Sequence, residues 1–215
     1  MIEHFLTRDS SMILRFLILS LLIVSTTGCA TREVLIDGSI PVPIIEKMKA
    51  RVGIYYSEEF VSFRHSEVSS EIGNWNIDIG KQNFRFFKSL FNSMFADVVV
   101  LGAPEFTSEL FEDVDAVLVP RVKEYGFLTP FLSGLNFYSA SINYELKLYD
   151  APDSVFLSWD VLGYGKSEGG LLGKEEAVNN ATLLAIRDSG ARIAIEFPAL
   201  EATKNWLARG KPQEK

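Results

Sequence analysis

Residues 12–30 carry an apolar run that decides where a globular domain can begin. The run extends from Phe16 to Val24, is interrupted by Ser20 and follows one basic residue, Arg15. It is too short to cross a bilayer as a helix, which takes roughly 20 apolar residues. It also has no polar face, which argues against a helix buried at a globular surface. A basic residue, an apolar run and then small residues are typical of a cleaved export signal, so the fold must form from the residues that follow.

The small residues that close this stretch end in Thr27, Gly28 and Cys29. This ending resembles the lipobox of bacterial lipoproteins, although Thr26 stands where that family usually has leucine. The resemblance implies cleavage between Gly28 and Cys29 and a lipid, with palmitate among its acyl chains, on Cys29, so that the membrane is held covalently. In enteric-type sorting an aspartate after the cysteine favours the inner membrane. Ala30 therefore implies the outer membrane, with the protein on its periplasmic side.

The domain borders follow from this cleavage site. Met1–Ser11 mixes acidic and basic residues ahead of the signal, so we expect Met12 to be the true start. Removing 28 of the 215 residues leaves 187, which suits one domain with its own core. We predict a signal at 1–28, a lipidated end and tether at 29–45, a single domain at 46–208 and a charged tail at 209–215.

Composition excludes two classes of protein. The net charge of −7 argues against a nucleic-acid partner, because phosphates need a basic face. The single cysteine excludes an internal disulfide, so stability must come from the apolar core. The chain supplies 16 phenylalanines, seven tyrosines and three tryptophans for that core, and each buried aromatic ring removes a large apolar area from water.

Alternation of apolar and polar residues predicts the strands, and spacings of three and four predict the helices. The clearest helix has Phe84, Phe87, Phe91 and Phe95 on one face. The expected strands are Arg51–Ser57, Glu59–His65, Val98–Leu101, Asp115–Glu124, Phe137–Tyr149 and Val155–Tyr164. Trp75–Ile79 is either a further short strand or a loop that folds back. The expected helices are Lys81–Phe95, a turn within Pro104–Phe111, Lys174–Phe197 with an interruption or a bend near Ser189 and Gly190, and Ala199–Ala208.

Three of these strands carry more specific expectations. Val98–Leu101 is wholly apolar, which is typical of a strand buried on both faces. Pro120 predicts a sheet edge or a bulge within its strand. Phe137–Tyr149 has the longest alternation and should form a hairpin with Val155–Tyr164. The whole order predicts an α+β domain, a single mixed β-sheet with packed helices.

No catalytic or metal-binding constellation is visible in the mature chain. His65 is its single histidine, there is no G-x-S-x-G motif, and a lone strand histidine is more often a structural residue. Zinc needs three or four nitrogen or sulfur ligands, which one histidine and one lipidated cysteine do not supply. We therefore expect no metal, no cofactor and no enzymatic activity.

A glycine cluster precedes Lys174 and invites comparison with phosphate-binding loops. Its members are Gly163, Gly165, Gly169, Gly170 and Gly173. A P-loop would require glycine at 168 and serine or threonine at 175, where the chain has Glu168 and Glu175, and the dinucleotide fingerprint fails at the same glutamate. A flexible connection from strand to helix is the favoured interpretation.

An enzymatic alternative stays open through the carboxylates. Glu58, Glu59, Glu67 and Glu71 lie close in sequence, and two carboxylates that meet in the fold can act as general acid and base. The alternative function is thus a carboxylate-dependent hydrolase or glycan-modifying envelope enzyme. Aromatic stacking on sugars through the three tryptophans is disfavoured, because their positions fit core packing better.

The segment Tyr125–Tyr138 carries the strongest functional signal. It joins two predicted strands, yet Gly126, Pro130 and Gly134 disfavour regular structure within it. Its large apolar residues are Phe127, Leu128, Phe131, Leu132 and Leu135. Such residues are costly on a surface loop. Either the segment docks on a partner or a lipid surface, or it folds back and caps the core.

The order of lipidated cysteine, tether and one α+β domain resembles small envelope lipoproteins that act as accessory or assembly factors. The order of elements also resembles the domains of lipoproteins related to the curli secretion lipoprotein and to penicillin-binding-protein activators. This resemblance covers most of the mature chain and rests on element order and hydrophobic rhythm. It implies a non-enzymatic factor that binds an envelope protein partner and leaves the oligomeric state open.

Overall fold

The structure is a computed structural model that describes residues 31–168 and 173–209. The signal, Gly28, Cys29, Ala30, Gly169, Gly170 and the tail from residue 210 onward lie outside the described residues. The described residues from Arg32 onward belong to one compact unit. The strands are β1 Arg32–Leu35, β2 Met48–Tyr55, β3 Arg64–Glu67, β4 Trp75–Asp78, β5 Phe95–Leu101, β6 Ala116–Leu128, β7 Phe137–Ala151 and β8 Ser154–Glu168. The helices are α1 Glu58–Val61, α2 Gly80–Met94, α3 Leu110–Asp113, α4 Pro130–Ser133, α5 Lys174–Glu196 and α6 Glu201–Ala208, with a 3-10 turn at Phe197–Ala199.

A five-stranded mixed sheet forms the larger layer, in the order β5-β2-β6-β7-β8. Strand β2 pairs in parallel with both β5 and β6, whereas β6, β7 and β8 form an antiparallel meander. The hairpin between β7 and β8 turns at Asp153, whose φ of 58° is in the left-handed region that aspartate tolerates. The α+β class and this long hairpin are confirmed.

The structure has two sheets where the sequence predicted one. The additional sheet has three strands in the order β1-β4-β3. Strand β1 pairs in parallel with β4, so that Arg32 lies opposite Trp75. The expected tether is wrong for residues 32–36, since Val34 and Ile36 are 4% and 1% exposed. Leu35 between them is 60% exposed, so successive side chains point to opposite faces as in a strand, and burial of Val34 and Ile36 outweighs the charged and proline-rich composition of the stretch.

The predicted strand over Glu59–His65 is wrong in its first half. Residues 58–61 form the short helix α1, because the Ser57 side chain caps it by accepting a hydrogen bond from the Phe60 amide at 3.2 Å. Burial of Phe60, which is 1% exposed, fixes this turn against the core. The strand β3 begins only at Arg64.

Two further expectations change once the neighbours are known, whereas the edge or bulge expected from Pro120 is confirmed, because the β6–β7 register is irregular between Val122 and Glu124. Strand β5 is an edge of the large sheet with Val100 48% exposed, so it is not buried on both faces. Pro120 lies inside β6 but beyond Leu118, where the pairing with β2 ends, so its missing amide breaks no ladder on that side. Helix α5 runs without an interruption through Gly190, and glycine fits there because a Cβ would lie 2.2 Å from the Phe86 ring.

The core lies on one face of the large sheet, beneath α2, α5 and the small sheet. The Phe87 ring of α2 lies 4.7 Å from the Tyr144 ring of β7. Tyr125 of β6 shares a 2.8 Å hydrogen bond with Thr182 of α5. Trp75 of the small sheet packs 5.3 Å from the Phe127 ring. These contacts tie all three layers together near the end of β6.

The glycines of β8 are packing residues rather than a flexible connection. A Cβ atom on Gly163 would lie 2.2 Å from the Ala185 carbonyl oxygen, and one on Gly165 would lie 2.0 Å from the Ala181 carbonyl oxygen. The backbone of α5 therefore lies directly on β8, which only glycine permits at this distance.

Candidate binding surface

The segment Tyr125–Tyr138 is an ordered turn at one end of the large sheet. Strand β6 continues to Leu128, and α4 then forms a single helical turn. The Thr129 side chain and carbonyl both accept a hydrogen bond from the Leu132 amide, at 3.4 and 3.1 Å. Gly134 ends the turn in the left-handed region, with φ 68°. Gly134 and Pro130 therefore shape the turn as cap and first-turn residue, and Gly126 lies within β6 opposite Ser141, so none of the three prevents regular structure.

Burial divides the five apolar residues of this segment. Phe127 is 6% exposed and belongs to the core. The other four are exposed: Leu128 by 48%, Phe131 by 71%, Leu132 by 38% and Leu135 by 52%. We call these four side chains the apolar tip. Each of the two sequence interpretations therefore holds for one part of the segment. Phe127 caps the core, whereas the apolar tip faces solvent.

A cavity of about 440 Å³ adjoins the apolar tip. Its lining includes Phe131 and Tyr138, together with Arg32, Trp75 and Lys174. The cavity therefore joins the beginning of β1, the small sheet, the tip and the first residue of α5. None of these contacts is visible in the sequence, because the contributing residues are up to 142 positions apart along the chain.

Arg32 is held firmly at this cavity. Its guanidinium lies 5.1 Å from the centre of the Trp75 ring, donates to the Ile72 carbonyl at 3.2 Å and pairs with Glu175 at 3.4 Å. Gly73, with φ 81°, leaves the space that the guanidinium occupies, since a Cβ there would lie 2.8 Å from it. The sequence placed Arg32 in a tether, and residues 32–36 show no alternation of polar and apolar residues that could have placed it in a strand.

Burial raises the pKa of the Tyr138 phenol above its ordinary value, and the nearby Glu175 carboxylate raises it further. Tyr138 is therefore a neutral hydroxyl at physiological pH. Together with the Arg32 guanidinium and the Lys174 amine, it gives the cavity polar groups beside the apolar tip.

The His65 side chain packs against aromatic residues of β6. Its ring lies 5.1 Å from the Tyr125 ring and 6.2 Å from the Phe127 ring. Its Nε2 atom lies 3.5 Å from a carboxylate oxygen of Glu67 on the same strand. This arrangement fits the structural role expected of a lone strand histidine.

The four carboxylates singled out in the sequence are spread over several elements. Glu58 and Glu59 are in the first turn of α1, Glu67 is in β3, and Glu71 lines the cavity beside the tip. Glu71 is the one carboxylate in that lining. Within residues 31–168 and 173–209, no group of three or more histidine, cysteine, aspartate or glutamate side chains could hold a metal ion.

A second cavity, of about 620 Å³, lies between β1, the end of α1 and α2. Its lining is mainly apolar, with Leu35 and Phe84 among its walls. Asp37, its one carboxylate, pairs with Arg85. Among the described residues, neither lining contains the pair of carboxylates that the acid–base alternative would use.

Two of the three tryptophans are buried packing residues, and the half-buried Trp159 lies 6.3 Å from the Phe197 ring. Trp75 and Trp206 are 1% and 5% exposed. The Trp206 indole donates to the Asp115 carbonyl at 3.2 Å and stacks on Phe156 at 5.7 Å. They therefore offer no open platform for a sugar ring.

Within the described part of the chain, no helix is long and apolar enough to span a bilayer. No family model and no curated protein matches the sequence. Similarity is found among solved structures, where a Xanthomonas campestris protein of the family DUF330 aligns with a TM-score of 0.52 and 13% identity. That alignment covers 81% of this chain and 97% of the other.

A Helicobacter pylori protein described as a homolog of the neuraminyllactose-binding hemagglutinin aligns with a TM-score of 0.50 and 11% identity. It covers 82% of this chain and 97% of the other. Both similarities concern the fold alone. The α+β domain is thus of a kind found in other bacterial proteins.

Proposed function

We propose that this chain is a lipid-anchored lipoprotein of the bacterial envelope that acts as a non-enzymatic binding, assembly or accessory factor for another envelope component. Its anchor is the lipid on Cys29, and Ala30 directs it to the periplasmic side of the outer membrane. Its docking surface is the apolar tip, Leu128, Phe131, Leu132 and Leu135. Phe127, which the sequence grouped with them, supports the tip from inside the core.

One observation carries this proposal: the apolar tip and the beginning of the folded domain lie at the same cavity. Arg32 opens β1 and lines the cavity together with Phe131. Only Ala30 and Thr31 separate Arg32 from Cys29 in the sequence. The lipid and the docking surface are therefore joined by a very short link, so that anchoring presents the tip at the membrane.

Exposure of the tip supports binding over catalysis. Four large apolar side chains at one turn are costly in water, and such patches are typical of interaction sites. The carboxylate-dependent enzyme stays the alternative. Among the described cavity residues, no pair of carboxylates supports this alternative. Glu71 and Asp37 line different cavities, and Asp37 already pairs with Arg85.

Replacing Cys29 with alanine tests the anchor. We expect the wild-type protein to incorporate radiolabelled palmitate and the Cys29→Ala variant to incorporate none, because the sulfur that carries the lipid is gone. The variant is also expected to keep its signal, since cleavage of lipoprotein signals depends on the lipidated cysteine in the resemblance invoked above. Gel fluorography after metabolic labelling reports both changes.

Thr31→Ala is the matched control, because it alters a neighbouring residue without touching the sulfur. This control should be labelled like the wild type, and density-gradient separation of its membranes should place it in the outer-membrane fraction. Equal labelling of the wild type and Cys29→Ala, or absence of label from both, would refute the anchor.

A further inference from the structure

We propose that the apolar tip docks directly on the lipid surface of the membrane that holds the Cys29 lipid. This inference rests on the proposed function and names the envelope component that the tip contacts. The occupant is lipid rather than protein, and four observations support it: the length of the link, the position of the tip, its side chains and the surrounding charges.

The link leaves the domain little freedom. Three residues of fully extended chain span at most about 11 Å, which bounds the distance from the Cys29 Cα to the Arg32 Cα. The tether expected from the sequence, residues 29–45, would have reached about 60 Å and imposed no orientation. Because β1 begins at Arg32, the lipidated end of the domain is restricted to the membrane surface.

The tip is at that restricted end. Arg32 and Phe131 line the same cavity, and the guanidinium of Arg32 is held by Trp75 and Glu175. The first residue of the domain therefore cannot swing away from the tip. Whatever brings Arg32 to the headgroups brings Phe131 with it.

The side chains of the tip suit the boundary between headgroups and acyl chains. Phenylalanine and leucine on the apolar side of an interfacial segment enter this boundary by roughly 5–10 Å. Phe131 protrudes most, with 71% of its surface exposed, and Leu135 follows with 52%. A soluble surface would lose free energy by exposing them, whereas the membrane beside the anchor removes them from water.

The charges around the tip are mixed, so the attraction is apolar rather than electrostatic. Arg32 is paired with Glu175, and the Lys166 amine lies 4.5 Å from the centre of the Phe137 ring. Lys174 adds positive charge at the same end, and Glu71 and Glu168 add negative charge. Zwitterionic lipid should therefore be sufficient, with little dependence on salt.

Helix α5 supplies an internal control for orientation. It begins at Lys174, which lines the cavity beside the tip, and extends to Glu196. At 1.5 Å per residue, Ile195 lies about 31 Å along the helix from Lys174. Ile195 is 70% exposed, which matches the 71% of Phe131. The two side chains are therefore almost equally exposed to solvent but lie at different distances from the proposed membrane surface.

The test places a polarity-sensitive label at these two positions in the full, lipidated protein. The sequence has one cysteine, and its sulfur carries the lipid, so Phe131→Cys and Ile195→Cys each introduce the one free thiol. Both variants are labelled with a nitrobenzoxadiazole fluorophore and reconstituted into dioleoylphosphatidylcholine vesicles that contain doxyl-labelled lipid. The label at position 131 should shift to the blue and lose most of its fluorescence, while the label at 195 keeps the spectrum and intensity found in water.

Equal spectra and equal quenching at the two positions would overturn the inference. So would a label at 131 that is shielded in native outer membranes but not in pure lipid vesicles, because that result identifies a protein partner and leaves the proposed function intact. The intact mass of the same samples separates the two proposals: absence of lipid on Cys29 would refute the anchor itself. Leu135→Cys repeats the measurement at a second tip position, and matching thermal unfolding curves verify that each variant is folded.

Discussion

The Gly165→Ala variant is expected to lose about 3 kcal/mol of its free energy of unfolding, at the upper end of what overpacking costs. The added Cβ would lie 2.0 Å from the Ala181 carbonyl oxygen and 2.5 Å from the Ala185 amide nitrogen. Both atoms belong to the backbone of α5, so they cannot move aside as a flexible side chain would. The helix would have to separate from β8, and urea unfolding followed by circular dichroism measures the loss.

Gly102→Ala is the matched control for this substitution. No atom lies within 4 Å of a Cβ built on Gly102. Its free energy of unfolding should stay within about 0.5 kcal/mol of the wild type. Similar unfolding midpoints for the Gly165 and Gly102 variants would contradict the close approach of α5 to β8, and with it the packing interpretation of the glycine cluster.

Replacing Phe87 with alanine is expected to destabilise the domain by about 3–5 kcal/mol, as for other large core aromatics. Phe87 is fully buried, and its ring lies 4.7 Å from the Tyr144 ring and 5.4 Å from the Phe60 ring. Its removal would leave a cavity between α2 and the sheet, at the centre of the aromatic cluster. Against a typical total stability of about 5–15 kcal/mol, this loss is a large part of the folding free energy.

The same substitution at Phe131 provides the comparison. Phe131 is 71% exposed, so Phe131→Ala should leave the unfolding midpoint nearly unchanged, within about 0.5 kcal/mol. A large loss of stability in Phe131→Ala would mean that the tip is part of the core. It would remove the basis for a docking surface.

The elements with long, regular patterns were predictable from the sequence. Helix α2 follows from Phe84, Phe87 and Phe91 at steps of three and four, and the observed bounds differ from the expected ones by one residue at each end. The hairpin of β7 and β8 follows from alternation over more than ten residues. In both cases local periodicity and burial agree, because each element presents one face to the core.

Short elements were not predictable, since partners distant in the sequence determine them. Strand β1 has four residues, and its place beside Trp75 depends on a pairing about 40 positions away. Helix α1 replaces a strand because Ser57 caps it and Phe60 is drawn into the core. The division into two sheets follows from these same distant pairings, which no periodicity records.

Only part of the candidate surface could be predicted from the sequence. The apolar composition of residues 125–138 marked the segment, but Phe127 and Phe131 are equivalent by composition alone. Trp75 decides between them, because it packs on Phe127 and leaves Phe131 at the rim of the cavity. The proximity of Arg32, and therefore of the proposed lipid anchor, could be recognised only from the fold.

The central claim is that a lipid on Cys29 anchors the domain three residues before its first strand. Its most direct test is the mass of the N-terminal peptide of the protein extracted from membranes, unfolded and digested with trypsin. Cleavage after Arg32 should release a peptide of Cys29–Arg32 that carries a diacylglyceryl group on sulfur and an acyl chain on the new amino terminus. A peptide that begins elsewhere, or one that begins at Cys29 with a free thiol, would contradict the account.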